Sequence, residues 1–325
     1  MTTSTTLPAS SGSPAPHRHG RTSRTSRTSR TSRTSRAARS SAQLPGFHLT
    51  PRARRIASSV GTHSFAIVLA VMFLAPIVFV VLTAFMSDQQ ALTGAWWPTS
   101  WHAENFAAVF DKAPMLRYYL NSLVYSLLAT LGMLLSSVPV AYALARLRWR
   151  GRNVSFLLTV VAMLLPPQVV AVPLYILWAR LDMTGTLWPL IVPYFVGDAF
   201  SIFLLRQFFL TIPESYSEAA RLDGLSELGI LRRVILPMAK PGVAAAALFT
   251  FMYTWNDYFG PLLYTGENPQ SWTLSLGLAS FRGVHQVQWN LTMAATLLAM
   301  IPVVAIFFVA QKTFVEGISF SGVKG

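Results

Sequence analysis

Residues 211–242 read TIPESYSEAARLDGLSELGILRRVILPMAKPG, and the way this stretch folds decides how the rest of the chain is organised. Four acids (Glu214, Glu218, Asp223, Glu227) and four bases (Arg221, Arg232, Arg233, Lys240) make it too polar to cross a bilayer. Its pattern is too regular for slack linker. Thr211 and Glu214 have capping-box spacing and Pro213 suits a first helical turn, so a short helix is expected over about 212–222. Gly224 is the natural stop, because the residue past a helix end commonly takes a left-handed conformation that glycine adopts without steric cost. A second helix, about 226–235, should turn off at an angle and end before Pro237. Helix, glycine turn and helix make a compact knob. Ala219 and Ala220 give it a low-relief face, with Glu218 and Asp223 as charges for pairing. On spacing alone, an amphipathic hairpin lying on the membrane surface fits equally well.

The flanks are apolar. Hydrophobic residues make up 53% of the 325 and charged residues 12%, half the share of a soluble domain, which excludes an ordinary soluble enzyme. A bilayer core needs about 20 apolar residues of helix. Charge-free runs occur at 65–86, 118–145, 154–179 and 291–311, and two more, 187–209 and 241–264, each contain a single acid, Asp198 and Asp257. The expected fold is therefore an all-α membrane protein of six transmembrane helices, with the loop 211–240 between spans four and five. Basic residues are concentrated in the tail, 146–153, 206–240 and the C-terminal end, which hold 22 of the 26. This bias favours both termini and the 211–240 loop on the cytoplasmic side. Prolines 76, 139, 166, 167, 173, 189, 193 and 261 lie within the spans and should kink or break them.

Farther out lies a tail, residues 1–62, with the main body expected over 63–325. The tail carries 11 Arg and no acid, so it accounts for all but +3 of the net charge of +14. Its repeat RTSRTSRTSRTSRTSR at 21–36 has too little apolar surface to order itself and is expected to be disordered. Contact with anionic lipid or nucleic acid is one reading of it, and a lineage-specific extension or an over-long start site is the other. A nucleic-acid role is not expected once the basicity is confined to this segment. Cysteine is absent, which excludes thiolate nucleophiles and Cys-ligated metals, and the six histidines form no cluster with ligand spacing. No phosphate-binding GxxxxGK[ST] loop is present. The expectation is no catalytic residue, no metal and no cofactor.

EAARLDG (218–224), followed nine residues later by VILP (234–237), closely resembles the EAA loop of the permease subunits of bacterial ATP-binding-cassette importers, with Val234 where Ile is usual. The segments 121–146, 164–175, 203–213 and TWNDYFGPLLY (254–264), with the ending EGISFSGVKG (316–325), are similar to the carbohydrate-uptake branch, of the smaller maltose permease type. The resemblance runs from about Phe65 to Gly325 and excludes the tail.

That resemblance implies a bacterial inner-membrane, multi-pass permease subunit forming half of the path for a sugar or oligosaccharide. It implies that ATP is hydrolysed by a cytoplasmic ATP-binding-cassette ATPase dimer. Glu218, Ala219, Ala220, Asp223 and Gly224 would form the helix docked on that ATPase and its turn, while Val234, Leu236 and Pro237 would tie the second helix to span five. A second homologous permease subunit and an extracytoplasmic solute-binding protein are the other implied partners, besides membrane lipid. The loop 87–117, with Trp96, Trp97 and Trp101, is a candidate contact for the binding protein or an interfacial belt. Tyr253, Asn256, Asp257 and Asp198 are candidate translocation-path residues. Asp257 could accept bonds from sugar hydroxyls, pair with a neighbouring helix or hold a gate; Asp198 could line a cavity or join two helices. The competing reading is a secondary transporter driven by an ion gradient, which would need its ion site among only two intramembrane acids.

Overall fold

The computed structural model describes residues 51–281 and 287–319, with side chains at 59–281, 287–308 and 311. The 21–36 repeat and the end of the 316–325 segment lie outside these residues. The chain divides into two units after Gly61, the second beginning at Thr62.

Every regular element among the described residues is helical, with no β-strand. In order they are α1 (Pro51–Ala84), α2 (Asp88–Ala91), α3 (Asn105–Lys112), α4 (Met115–Arg146), α5 (Arg152–Met163), α6 (Pro167–Arg180), α7 (Trp188–Val196), α8 (Ala199–Thr211) and α9 (Glu214–Leu222). There follow α10 (Glu227–Ile230), a π-helical turn (Leu231–Ile235), α11 (Leu236–Met238), α12 (Lys240–Trp255), α13 (Phe259–Thr265), α14 (Leu274–Ser280) and α15 (Trp289–Ser319). Four stretches are helical, long and apolar enough to cross a membrane: 59–84, 115–146, 188–211 and 289–308. Two bent pairs raise the number to six if each is counted as one span.

The bend within 154–179 falls at the proline pair 166–167, where a kink or break was expected. Helices α5 and α6 meet at 97°. Pro166 takes an extended ψ of 134° because Pro167 follows it, and Pro167 then opens α6. The α7–α8 stretch is interrupted at Gly197, whose φ of 140° suits glycine, and Asp198 restarts the helix by accepting from Ser201 N at 2.7 Å. The expected run 241–264 is likewise broken, at residues 256–258 between α12 and α13. By contrast, Pro76, Pro139, Pro173 and Pro302 sit inside continuous helices.

Helix α4 is the spine. It packs against α7, α8 and α12. Its buried face runs Ser122, Ser126, Ala129, Gly132, Ser137 and Ala141, small side chains that let neighbouring backbones approach closely. The hydroxyls do more than save space. Ser122 Oγ accepts from Leu274 N at 2.7 Å, Ser136 Oγ donates to the Tyr194 carbonyl at 2.7 Å, and Ser137 Oγ accepts from Asp198 N at 3.0 Å. Each joins α4 to a helix end or break whose backbone groups would otherwise lack a partner. At the other extreme, α1 exposes Phe65, Phe73 and Leu74. Its end is fixed by Asn105 of α3, whose amide donates to the carbonyls of Ala84 (2.9 Å) and Met86 (2.8 Å).

Candidate functional site: a tethered helical knob and a locked helix break

The segment 214–238 folds as a helical knob seated on α4 and α8. Helix α9 buries Ser217 and Ala220, one turn apart, and exposes Glu218 and Ala219. The structure thus divides the alanine pair: Ala220 faces the chain's own core, and Ala219 the outside. Asp223 ends the helix, and Gly224 turns the chain with φ of 80°. Leu222 at the tip is 89% exposed, and Tyr216 and Leu228 are exposed beside it. Among the described residues Glu218 forms no ion pair. A small exposed residue, an unpaired acid and a bare leucine on one short helix make a surface suited to contact with another protein.

The start of α9 corrects one expectation. Thr211 does not cap it, because α8 continues through Thr211 and the hydroxyl donates to the Phe208 carbonyl at 2.7 Å. Pro213 precedes α9 with no side-chain cap. The second limb also differs, since helix continues through Pro237 rather than ending before it. Widening of the turn at Leu231–Ile235 precedes that proline. The bend of 84° comes after it, between Met238 and Lys240, with Pro241 in the first turn of α12.

Two polar joints tie the knob to the spine. Glu227, in the first turn of α10, accepts from Tyr142 of α4 at 2.6 Å and from Arg221 of α9 at 2.8 and 3.4 Å. The Arg221 guanidinium holds the Glu227 carboxyl below its ordinary range. The second joint is Arg146, the last residue of α4 and only 9% exposed, whose Nη2 donates to the carbonyls of Phe209 and Ile212 where α8 gives way to α9. In return Arg206 of α8 donates to the Leu144 carbonyl at 3.1 Å, with its guanidinium carbon 3.8 Å above the Phe156 ring. Beneath the joints Ile230, Leu231 and Ile235 are buried with Met133, Ala141, Leu205 and Phe209. Val234 and Leu236 pack against that cluster, while Pro237 is exposed.

The acids within the apolar stretches fall into two separate arrangements. Asp257, at the α12–α13 break, accepts from Tyr125 of α4 through Oδ2 (3.0 Å) and from Gly260 N through Oδ1 (3.0 Å), while its carbonyl accepts from Ser275. One residue therefore ties α4, α13 and the start of α14 together. Asn256 donates back to Met252 of its own helix at 2.7 Å, and Asn256 and Tyr253 are exposed. Asp198 contacts α4 at Ser137, 12 residues from Tyr125, which is about 18 Å along the helix. The two acids make no direct contact, but Tyr194 and Tyr253 lie within electrostatic range of both. Sequence reasoning missed Tyr125, Tyr142, Arg146 and the serines of α4. The repeated small and hydroxyl residues along 122–141 were the one available signal.

Residues 137–319 match the family described as binding-protein-dependent transport system inner membrane component. The chain is 31% identical to the probable ABC transporter permease protein YurM of Bacillus subtilis, over 82% of this chain and 89% of that protein. It is also 31% identical to the diacetylchitobiose uptake system permease protein DasC of Streptomyces coelicolor, over 80% and 95%. A solved structure of a bacterial ABC transporter involved in import of the acidic polysaccharide alginate contains a chain similar to this one. The two superpose with a TM-score of 0.69 at 25% identity, covering 81% of this chain and 98% of that one.

Proposed function

The chain belongs to the family of binding-protein-dependent transport system inner membrane components, a multi-pass permease of the ABC type, and from that premise we propose that it forms half of the membrane path for a sugar or oligosaccharide. The diacetylchitobiose system named for one relative supports the solute class. The six-span reading counts the bent pair α5–α6 as one span and the broken run α12–α13 (241–264) as another, with the 211–240 loop and both termini in the cytoplasm, in keeping with the basic residues there. The partners are a cytoplasmic ATPase dimer, a second homologous permease and an extracytoplasmic solute-binding protein. This chain contributes no hydrolytic step.

The observation that carries the proposal is the pair of joints at Glu227 and Arg146. A displacement imposed on α9 reaches α4 through short polar contacts at the entry to the knob, from Arg146, and at its middle, through Glu227, and α4 packs along α7, α8 and α12. A rigid knob transmits such a motion, whereas a slack loop would absorb it. Glu218, Ala219, Asp223 and Gly224 then offer the outward surface, and Ala220, Val234, Leu236 and Pro237 belong to its seat and exit.

Glu218→Lys tests this reading. Reversing a charge in a desolvated interface costs several kcal/mol, so the ATPase should separate from the complex or lose its stimulation by solute, with membrane insertion unchanged. Uptake at the wild-type rate by reconstituted Glu218→Lys transporter, with the ATPase bound normally, would remove the coupling role.

A further inference from the structure

At the end of α4 a cleft of about 430 Å³ opens between the α4–α5 turn and the start of α9. Arg146, Arg148 and Arg152 line it on one side and Glu214 on the other. A second hollow shares Arg148 and Arg152 and adds Trp149 and Val154. Neither joint described above uses Arg148 or Arg152. Arg148 meets Glu214 at 3.4 Å with both side chains well exposed, a contact of small worth. Arg152 reaches the Leu147 carbonyl at 3.3 Å through Nη1, leaving its other donors unassigned. Arg146 is held in place by the α8 carbonyls, and its Nε is buried without a partner. Three cations against one acid make the cleft strongly positive, and guanidinium groups match the oxygens of a phosphate in paired hydrogen bonds.

What lies beside the arginines narrows the source of the phosphate. Helix α5 starts at Arg152, and its Val154, Leu157 and Leu158 are all exposed. Trp149, also exposed, lines the adjoining hollow and is the kind of side chain that settles at a membrane–water boundary. A basic hollow continuous with a bare apolar helix face suits a molecule with an anionic head and acyl chains. It suits free phosphate or a nucleotide less well, since these leave the apolar face uncovered.

We infer that this cleft binds the phosphate head group of an anionic phospholipid, its acyl chains lying along the exposed face of α5. Glu214 opens α9 and shares Arg148 with that phosphate, so an occupying lipid loosens the Arg148–Glu214 contact and alters how α9 is held. The inference rests on the proposed membrane crossing of α4 and α5 and on nothing about the transported solute.

The test uses the full chain purified with its ATPase and second permease in nanodiscs of phosphatidylcholine and phosphatidylglycerol in equal parts, with tightly retained lipid measured by mass spectrometry. Wild type should retain phosphatidylglycerol preferentially. Arg148→Gln with Arg152→Gln should lower that retention about fivefold for each arginine removed, phosphatidylcholine being unaffected. Glu214→Gln should raise it, and Arg148→Lys with Arg152→Lys should keep most of it. Equal retention by wild type and the Gln–Gln variant overturns the proposal. Full displacement of the lipid by inorganic phosphate alone assigns the cleft to a free anion and overturns the lipid source. Loss of the ATPase from the Gln–Gln complex, with phosphatidylglycerol retained, assigns it to a protein partner instead. Failure of the membrane reading itself is distinguishable, because wild-type complex would then not be recovered in the discs at all.

Discussion

Glu227 gathers a tyrosine from α4 and an arginine from α9 on one carboxylate. Its folded pKa lies below the ordinary value of 4.5 because Arg221 favours the charged form. The stabilisation is therefore complete above the usual glutamate range and is lost as the pH falls through the depressed folded value. Thermal unfolding of wild type and Glu227→Gln should differ by a constant amount near neutrality, with the gap closing in acid. A gap that widened in acid would reverse the sign and remove the joint. Asp257 calls for a different measurement. Both its oxygens already accept hydrogen bonds, one of them from Tyr125, which is 2% exposed. Asp257→Asn turns an NH₂ toward one of the two donors and should cost about 1–3 kcal/mol of stability. An unchanged melting temperature with uptake lost would make Asp257 a solute contact rather than a lock. Neither joint was legible in the sequence. Tyr125 and Asp257 lie 132 residues apart, and Tyr142 and Glu227 lie 85 apart, so no local pattern announces them. The acids were visible as costly groups; their partners were not.

Helices ended where their local chemistry was strongest. The double proline at 166–167 and the glycine at 224 both act within a residue or two of themselves, and both stop a helix here. Thr211 misled because two readings compete for one hydroxyl: a cap for the helix ahead, or a bond to the carbonyl behind. Packing of Leu205 and Phe209 in the core carries α8 through to Thr211, and the second reading wins. Glycine substitutions separate local from tertiary constraint at this scale. At Gly224 nothing lies near an added Cβ, but φ is 80°. Gly224→Ala should therefore cost about 1 kcal/mol through the backbone alone. Its effect should be confined to hydrogen exchange in α9 and α10 and to a lower uptake rate. At Gly277 of α14 the backbone is ordinary, yet an added Cβ would run into the ring of buried Tyr118. Gly277→Ala should lower global stability by about 1–3 kcal/mol, read by thermal unfolding in nanodiscs. Equal behaviour of the two variants would contradict this division.

Charge and apolar surface are partitioned along the whole chain, and that partition is what made a membrane protein legible at once. Residues 1–62 hold 11 of the 26 bases and none of the 12 acids. The knob holds acids and bases in balance, and the helices between are nearly bare of both. Every contact on which the proposed coupling depends lies between Tyr125 and Ser275, well past the arginine repeat. If transport depends on α9, its two joints and the lock at Asp257, removing residues 2–50 leaves each of these contacts in the chain and α1 from Pro51 onward intact. Uptake by the shortened transporter, normalised to the amount in the membrane, should then stay within about twofold of wild type, since a change that removes none of the named packing or bonding features alters stability little. Attraction of the remaining arginines to acidic head groups is screened by salt, so any residual effect of the tail should fade as ionic strength rises. A tenfold loss of uptake that persists in high salt, with expression and ATPase association unchanged, would place part of the mechanism in the tail and make the knob insufficient as the coupling element.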